Sequence, residues 1–360
     1  MDDWRDELRH AIRSPGDLRG ELSGRAGADA PLEFADRAAP PTAGLPFLMP
    51  RGLLARCQPR EGDPVLEQFL PHPSEAASLP YEDVDPLSER MHGVAPRLVR
   101  QYPSRALLRA NSECAAYCRF CYRRSLLGSA RGFITDAQAG VAAAALAAMR
   151  GLREVLVSGG DPLVASDERI ERLLAVIRRA VPGVVVRLCT RTPVVLPSRV
   201  TDDLVAMLRR FAPLWVVVHV NHPAELGPES LVALDRFADA GLPVLSQTVL
   251  LRGVNDDAET LESLFSALAA ARVKPYYLFQ GDLAAGTARF RTPLSHSLEL
   301  YHALRKRCSG LELPRMAVDA PGGLGKVYLP EGVVGRIGDR WILETPDGSR
   351  AFYPEEAAGE

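Results

Sequence analysis

Lysine is almost missing from this chain. Of its 43 basic residues only Lys274, Lys306 and Lys326 are lysines, so arginine serves wherever a plain positive charge suffices, and each remaining lysine is informative. Long apolar runs are missing too. None approaches the roughly 18 residues that cross a bilayer, and the opening MDDWRDELRH lacks the basic-then-apolar order of a secretory signal. The expectation is a cytoplasmic protein with no membrane partner. A basic excess is also lacking: at a formal net charge of −2 the chain has no surplus to neutralise a phosphate backbone, and nucleic acid is not an expected partner. Cysteine is scarce, six in 360 residues, which excludes a disulfide-stapled scaffold. Three of the six crowd into eight positions, and in a reducing compartment that clustering points to metal.

An apolar content of 47% supports a large core. Residues 1–100, rich in Pro, Gly and charge, predict an irregular extension with short helices near 4–12 and 64–70. Residues 101–310 form the predicted core. Six apolar runs of strand length (RALLRA, REVLVSG, VVVRLCT, LWVVVHV, PVLSQTVLL, KPYYLF) alternate there with helical segments near 136–149, 167–180, 201–211, 229–240, 257–271 and 296–308. Ser166 and Thr201 supply N-caps, and Gly241 a C-terminal stop. Continuous apolar strands separated by helices predict a parallel sheet with right-handed crossovers, an α/β fold resembling an incomplete (β/α)6 barrel. Residues 311–360 hold a glycine loop and a hairpin pattern, RWILETPDGSRAFYP. In such folds chemistry gathers at the C-terminal strand ends, and NSECAAYCRFCYRR, SGGDP, TRTP, NHPAE, RGVND and QGDL fall there.

Cys114, Cys118 and Cys121 form a C-x3-C-x2-C array directly after the first core strand. Structural zinc wants four ligands, and the next cysteine, Cys189, lies inside a predicted strand. A four-iron cluster normally takes four thiolates, so three leave one iron open to an exchangeable molecule. Cys57, Cys189 and Cys308 read as ordinary thiols. Ser158, Gly159, Gly160 and Asp161 end the second strand, where backbone without side chains could approach a ligand closely or simply turn. Lys326 ends the glycine-rich VDAPGGLGK. A primary amine forms an imine with an aldehyde cofactor and guanidinium effectively does not; the competing reading is an incidental lysine on a surface turn.

Taken together, the cysteine loop followed by Tyr-Arg-Arg, LVSGGDPL, TRTPVVLP, HVNHPAE, SQTVLLRGVND, PYYLFQGDL, FRTPLS and VDAPGGLGK resemble the lysine 2,3-aminomutase family across residues 95–330. The resemblance implies a radical S-adenosylmethionine (SAM) barrel and three cofactors: a [4Fe-4S] cluster on the three cysteines, SAM on its open iron, and pyridoxal phosphate on Lys326. It implies that Arg123 receives the substrate carboxylate and that Asp282 and Asp319 bind the distal ammonium of lysine. An ammonium about 4 Å from each carboxylate gains roughly 4 kcal/mol per contact at an effective dielectric near 20, before desolvation. Arg105 and Tyr102 would flank pyridoxal phosphate, and His219, Asn221 and Gln247 would line the SAM pocket. The implied reaction converts L-lysine to β-lysine with a one-electron reductant such as flavodoxin or ferredoxin. The expected partners are a small amino acid and further copies of the chain, as a homo-oligomer.

Alternatives are the same chemistry on arginine or glutamate, the β-lysine-forming branch that serves modification of translation elongation factor P, and a non-catalytic iron–sulfur binding protein. Some relatives carry a cysteine-built zinc site near the C-terminus, but no cysteine follows Cys308 here, so no zinc is expected. The extension is read as a lid or subunit contact. A chain beginning near residue 95 should therefore lose solubility or activity; full retention of both would remove that role.

Overall fold

The structure, a computed structural model, describes residues 3–26, 45–128 and 132–355. Apolar, β-branched runs form one ten-stranded sheet in consecutive order: β1 (Gly93–Ala95), β2 (Leu98–Tyr102), β3 (Arg105–Asn111), β4 (Glu154–Gly159), β5 (Val185–Thr190), β6 (Leu214–His219), β7 (Val244–Val249), β8 (Val273–Phe279), β9 (Arg315–Ala320) and β10 (Gly325–Tyr328). Strands β3 to β9 are parallel, whereas β1–β2, β2–β3 and β9–β10 pair antiparallel.

Six helices make the six crossovers between the parallel strands: Asp136–Ala148, Asp167–Ala180, Asp202–Arg209, Pro228–Asp239, Ala258–Ala270 and Leu294–Arg307. Each buries a stripe. In Asp167–Ala180 it consists of Ile170, Leu173, Leu174 and Ile177, the spacing of one helical face. These stripes meet the alternate strand residues that point outward, such as Val155, Val157, Val186, Leu188, Val216 and Val218, in the main core. The other strand face looks inward. Thr201 caps its helix by accepting from the Leu204 amide. Ser166 does not: it stands at the cap position without a capping bond.

A seventh parallel strand corrects the expected six. PRMAVDA, short, opening at proline and carrying Arg315 and Asp319, is not among the expected strands, yet it pairs with β8 through Tyr277–Arg315 and Phe279–Ala317. Residues expected to form a separate C-terminal segment thus extend the barrel sheet through β9 and β10. The expected boundary at residue 100 falls within β2, which pairs with β3. Lys274 secures the approach to β9 by donating to the carbonyls of Gly310, Leu311 and Leu313. The tail folds as a separate antiparallel sheet of β11 (Val333–Ile337), β12 (Arg340–Glu344) and β13 (Arg350–Pro354). Tyr353 joins it to the barrel through a 2.8 Å hydrogen bond to the Gly281 carbonyl.

The N-terminal segment has its own apolar cluster, with Trp4, Leu18, Phe47, Met49 and Leu53 packed on Ala115, Ala116, Val195 and Leu196. It therefore covers the cysteine loop. Glu75 locks that contact: its buried carboxylate accepts from Arg119 Nε at 3.0 Å and Arg124 Nη2 at 2.6 Å. Burial raises a carboxyl pKa, but the two guanidinium groups outweigh it and hold Glu75 below the usual range. Glu75→Ala would strand two buried guanidinium groups. The expected cost is about 3–5 kcal/mol, measured by urea denaturation.

Candidate active site

The inward strand faces and the loops beyond their C-terminal ends enclose a cavity of about 320 Å³, within the range of small-molecule sites. Of the residues expected to bind cofactor, cluster or substrate, all but Gly159 and Asn221 line it.

The cysteine loop is held from below by SGGDP. Gly160 and Asp161 donate to the carbonyls of Asn111 and Glu113, each at 2.8 Å, and a Cβ on Gly160 would lie 2.3 Å from the Glu113 oxygen. The glycine is required by backbone docking. Gly159 packs on Asn111 in the same way and does not reach the cavity. Asp161, expected to bind a cofactor, spends its carboxylate on the Leu163, Arg191 and Thr192 amides and the Thr190 hydroxyl, fixing the ends of β4 and β5 together. Asn221 is likewise internal, donating to Gln68 Oε1 and accepting from the Val249 amide, both at 2.9 Å.

Burial raises the pKa of all three loop thiols, Cys121 to about 12, so thiolates there need a compensating metal charge. Among the described residues no three His, Cys, Asp or Glu side chains gather around a single metal ion. Three thiols on one loop match the three-thiolate ligation that leaves one iron of a four-iron cluster open. Cys189, read as ordinary, also lines the cavity.

His219 stacks on Phe120 at 5.5 Å. Burial, then the charge of Arg191, lowers its pKa to about 3, so the ring is neutral, and its buried Nε2 has no hydrogen-bond partner. Gln247 is its register neighbour on β7. An orphaned ring nitrogen on the wall suits a polar ligand such as SAM.

Arg123 is already oriented. Its Nε and Nη2 donate to Glu89 Oε1 at 2.8 and 2.7 Å, and its Nη1 to Ser158 Oγ at 3.2 Å. Glu89 escaped sequence reasoning because it lies in an unpatterned stretch of the extension.

On β10 Lys326 stands directly across from Asp319 on β9, and its Nζ donates to Oδ1 at 2.9 Å and Oδ2 at 2.8 Å. Burial disfavours the ammonium, but Asp319 outweighs it and the lysine pKa is raised. Asp319 thus holds the lysine, where a substrate contact was expected. Tyr102 Oη accepts from the Lys326 amide at 2.8 Å, and a Cβ on Gly325, at φ +96°, would sit 3.0 Å from that oxygen. Arg105 stacks on the Tyr102 ring at 4.4 Å and leaves its buried Nε unpartnered.

Asp282 faces the cavity with no hydrogen bond among the described residues. Burial, then the charge of Asp319, pushes its pKa up to about 7. In the unfolded chain an aspartate titrates near about 3.9. Between these values the folded state holds a proton that the unfolded state has lost, so stability falls as pH rises through the window and levels off above it. Asp282→Asn should remove this component. In urea denaturation of the cofactor-free protein, the variant should gain on wild type between about pH 5 and pH 8.

Residues 111–264 match the radical SAM superfamily. The chain is 39% identical over 294 residues to an L-lysine 2,3-aminomutase of Fusobacterium nucleatum subsp. nucleatum, covering 81% of this chain and 69% of that protein. It is 36% identical over 357 residues to the L-lysine 2,3-aminomutase of Clostridium subterminale, covering 98% and 84%. A glutamate 2,3-aminomutase of Clostridioides difficile (strain 630) is 36% identical over 278 residues, covering 77% and 66%. With that similarity running through both the cysteine loop and the Lys326 strand, the chain belongs to the lysine 2,3-aminomutase family and is a radical SAM aminomutase that uses a [4Fe-4S] cluster and SAM.

Proposed function

We propose that this aminomutase interconverts L-lysine and β-lysine, with pyridoxal phosphate carried on Lys326. The observation behind the substrate is the carboxyl pair: Asp282 unpaired on the cavity wall, and Asp319 beside it electrostatically. An anionic distal group, as in glutamate, would be repelled there. A cationic one is attracted.

Cys114, Cys118 and Cys121 would hold the cluster, and Ser158, Gly160, His219 and Gln247 would line the SAM site. Tyr102 and Arg105 would flank pyridoxal phosphate. When bound, the cluster and SAM supply a hydrogen-abstracting radical, while pyridoxal phosphate supplies the carbonyl carbon that carries the migrating nitrogen. The chain's own residues supply placement. Arg123, pinned on one edge by Glu89, presents its remaining N–H groups to the substrate α-carboxylate, a charge-assisted pairing. Asp319 holds the Nζ ammonium across 2.8 Å; loss of an Nζ proton to solvent would free Lys326 as a nucleophilic amine and leave the carboxylate charged. While the Lys326 nitrogen is bonded to the cofactor it cannot serve Asp319 as an ammonium. Both carboxyls then lack a cation, and the distal ammonium of lysine provides one. The N-terminal segment over the cysteine loop limits the entry of water.

The test is anaerobic reconstitution with iron, sulfide, pyridoxal phosphate, SAM and dithionite, in separate incubations with lysine, arginine and glutamate, read by chromatography and mass spectrometry. β-Lysine should form and be abolished in Lys326→Ala. Asp282→Asn should lower kcat/KM for lysine by about 30-fold or more, the cost of losing one partner of a buried charge pair. Isomerisation of glutamate or arginine alone would refute the lysine assignment while leaving the aminomutase chemistry.

A further inference from the structure

Arg191 follows β5 in the TRTP motif and is buried. Its Nη1 lies 2.7 Å from Cys118 Sγ, and its Nη2 donates to Gln68 Oε1 and Glu225 Oε2, each at 2.6 Å. Phe69 and Phe120 lie against the guanidinium at 4.7 and 5.4 Å. Glu225 is fully buried and also accepts from the Asn221 and His222 amides at 2.9 Å and from Gln68 Nε2 at 3.1 Å. The guanidinium can neither swing away nor be solvated. A buried ion pair is poor value as a stabiliser, since apolar replacements are often as stable. A cation fixed between a thiol and a carboxylate therefore asks for an explanation beyond folding.

We propose that Arg191 is a positioning residue that sets the reduction potential of the cluster through the Cys118 sulfur, with Glu225 as the opposing charge. The proposal rests on the assignment of Cys118 as a cluster ligand. Reduction adds an electron, so the reduced cluster is the more negative form. An N–H···S bond and a positive charge stabilise that form, and hydrogen bonds to the sulfurs together with net charge are established determinants of iron–sulfur potentials. Glu225 acts with the opposite sign from the Nη2 side of the same guanidinium. Little water screens either group.

A purely structural role and an electrostatic one separate by sign. R191Q and E225Q would be reconstituted anaerobically without substrate, matched to wild type for iron and sulfide content, and titrated potentiometrically with the EPR signal of the reduced cluster as readout. R191Q should shift the potential to more negative values. E225Q should shift it to less negative values, and R191K, which keeps the charge, should fall between wild type and R191Q. Unmoved potentials, or shifts of the two neutral variants in one direction, overturn the proposal. Should R191Q fail to take up iron, R191K and E225Q decide it: E225Q must rise and R191K must not. Failure of wild type to assemble any cluster would overturn the ligand assignment, and this proposal with it, whereas a loaded wild type with unmoved variants overturns the proposal alone.

Discussion

A guanidinium group buried without a carboxylate is too costly to keep, and this active site contains several that it needs. Arg119 and Arg124 meet Glu75, Arg123 meets Glu89, and Arg191 meets Glu225. Each of these carboxylates is itself buried. The cysteine loop can take its shape only where all of these partners are assembled, so the site is the meeting point of long-range ion pairs as much as of strand ends.

Two of the three carboxylates, Glu75 and Glu89, belong to the segment before the parallel strands. That segment is consequently part of the site. It shields the loop with apolar residues such as Phe47 and Met49, fixes Arg123 on the cavity wall through Glu89, and through Tyr102 reaches the Lys326 amide. Glu225 and Gln68 extend the same principle inward, joining the segment to the ends of β5 and β6 beneath Cys118.

Much of this was legible in the sequence. Strands β3 to β8 and the six crossover helices follow from period and apolar run length, because local patterning and burial agree there. β9 was hidden because a strand carrying Asp319 on its inward face does not look apolar. The three loop cysteines and Lys326 stood out as candidates, since few residue types bind iron or form imines, and the structure brings them to one cavity. The roles of Asp161 and Asn221 could not, because a polar residue in a motif is equally suited to a ligand and to a neighbouring loop, and only distances decide. Glu89 had no local signal at all, as its partner lies 34 positions away. Arg191 and Glu225 stood in plain view within TRTP and NHPAE, but their link through Cys118 is tertiary.

The near-exclusive use of arginine has an analytical side. Lys274 is tied to three carbonyls and Lys326 to Asp319, which leaves Lys306, near the end of an exposed helix face, as the readily labelled lysine. A protease that cleaves after lysine would cut the sequence into only four pieces, ending at residues 274, 306, 326 and 360. A group reductively trapped on Lys326 would block one of those three cuts and announce itself as a single fused fragment spanning 307–360, so a digest reads directly whether Lys326 carries one.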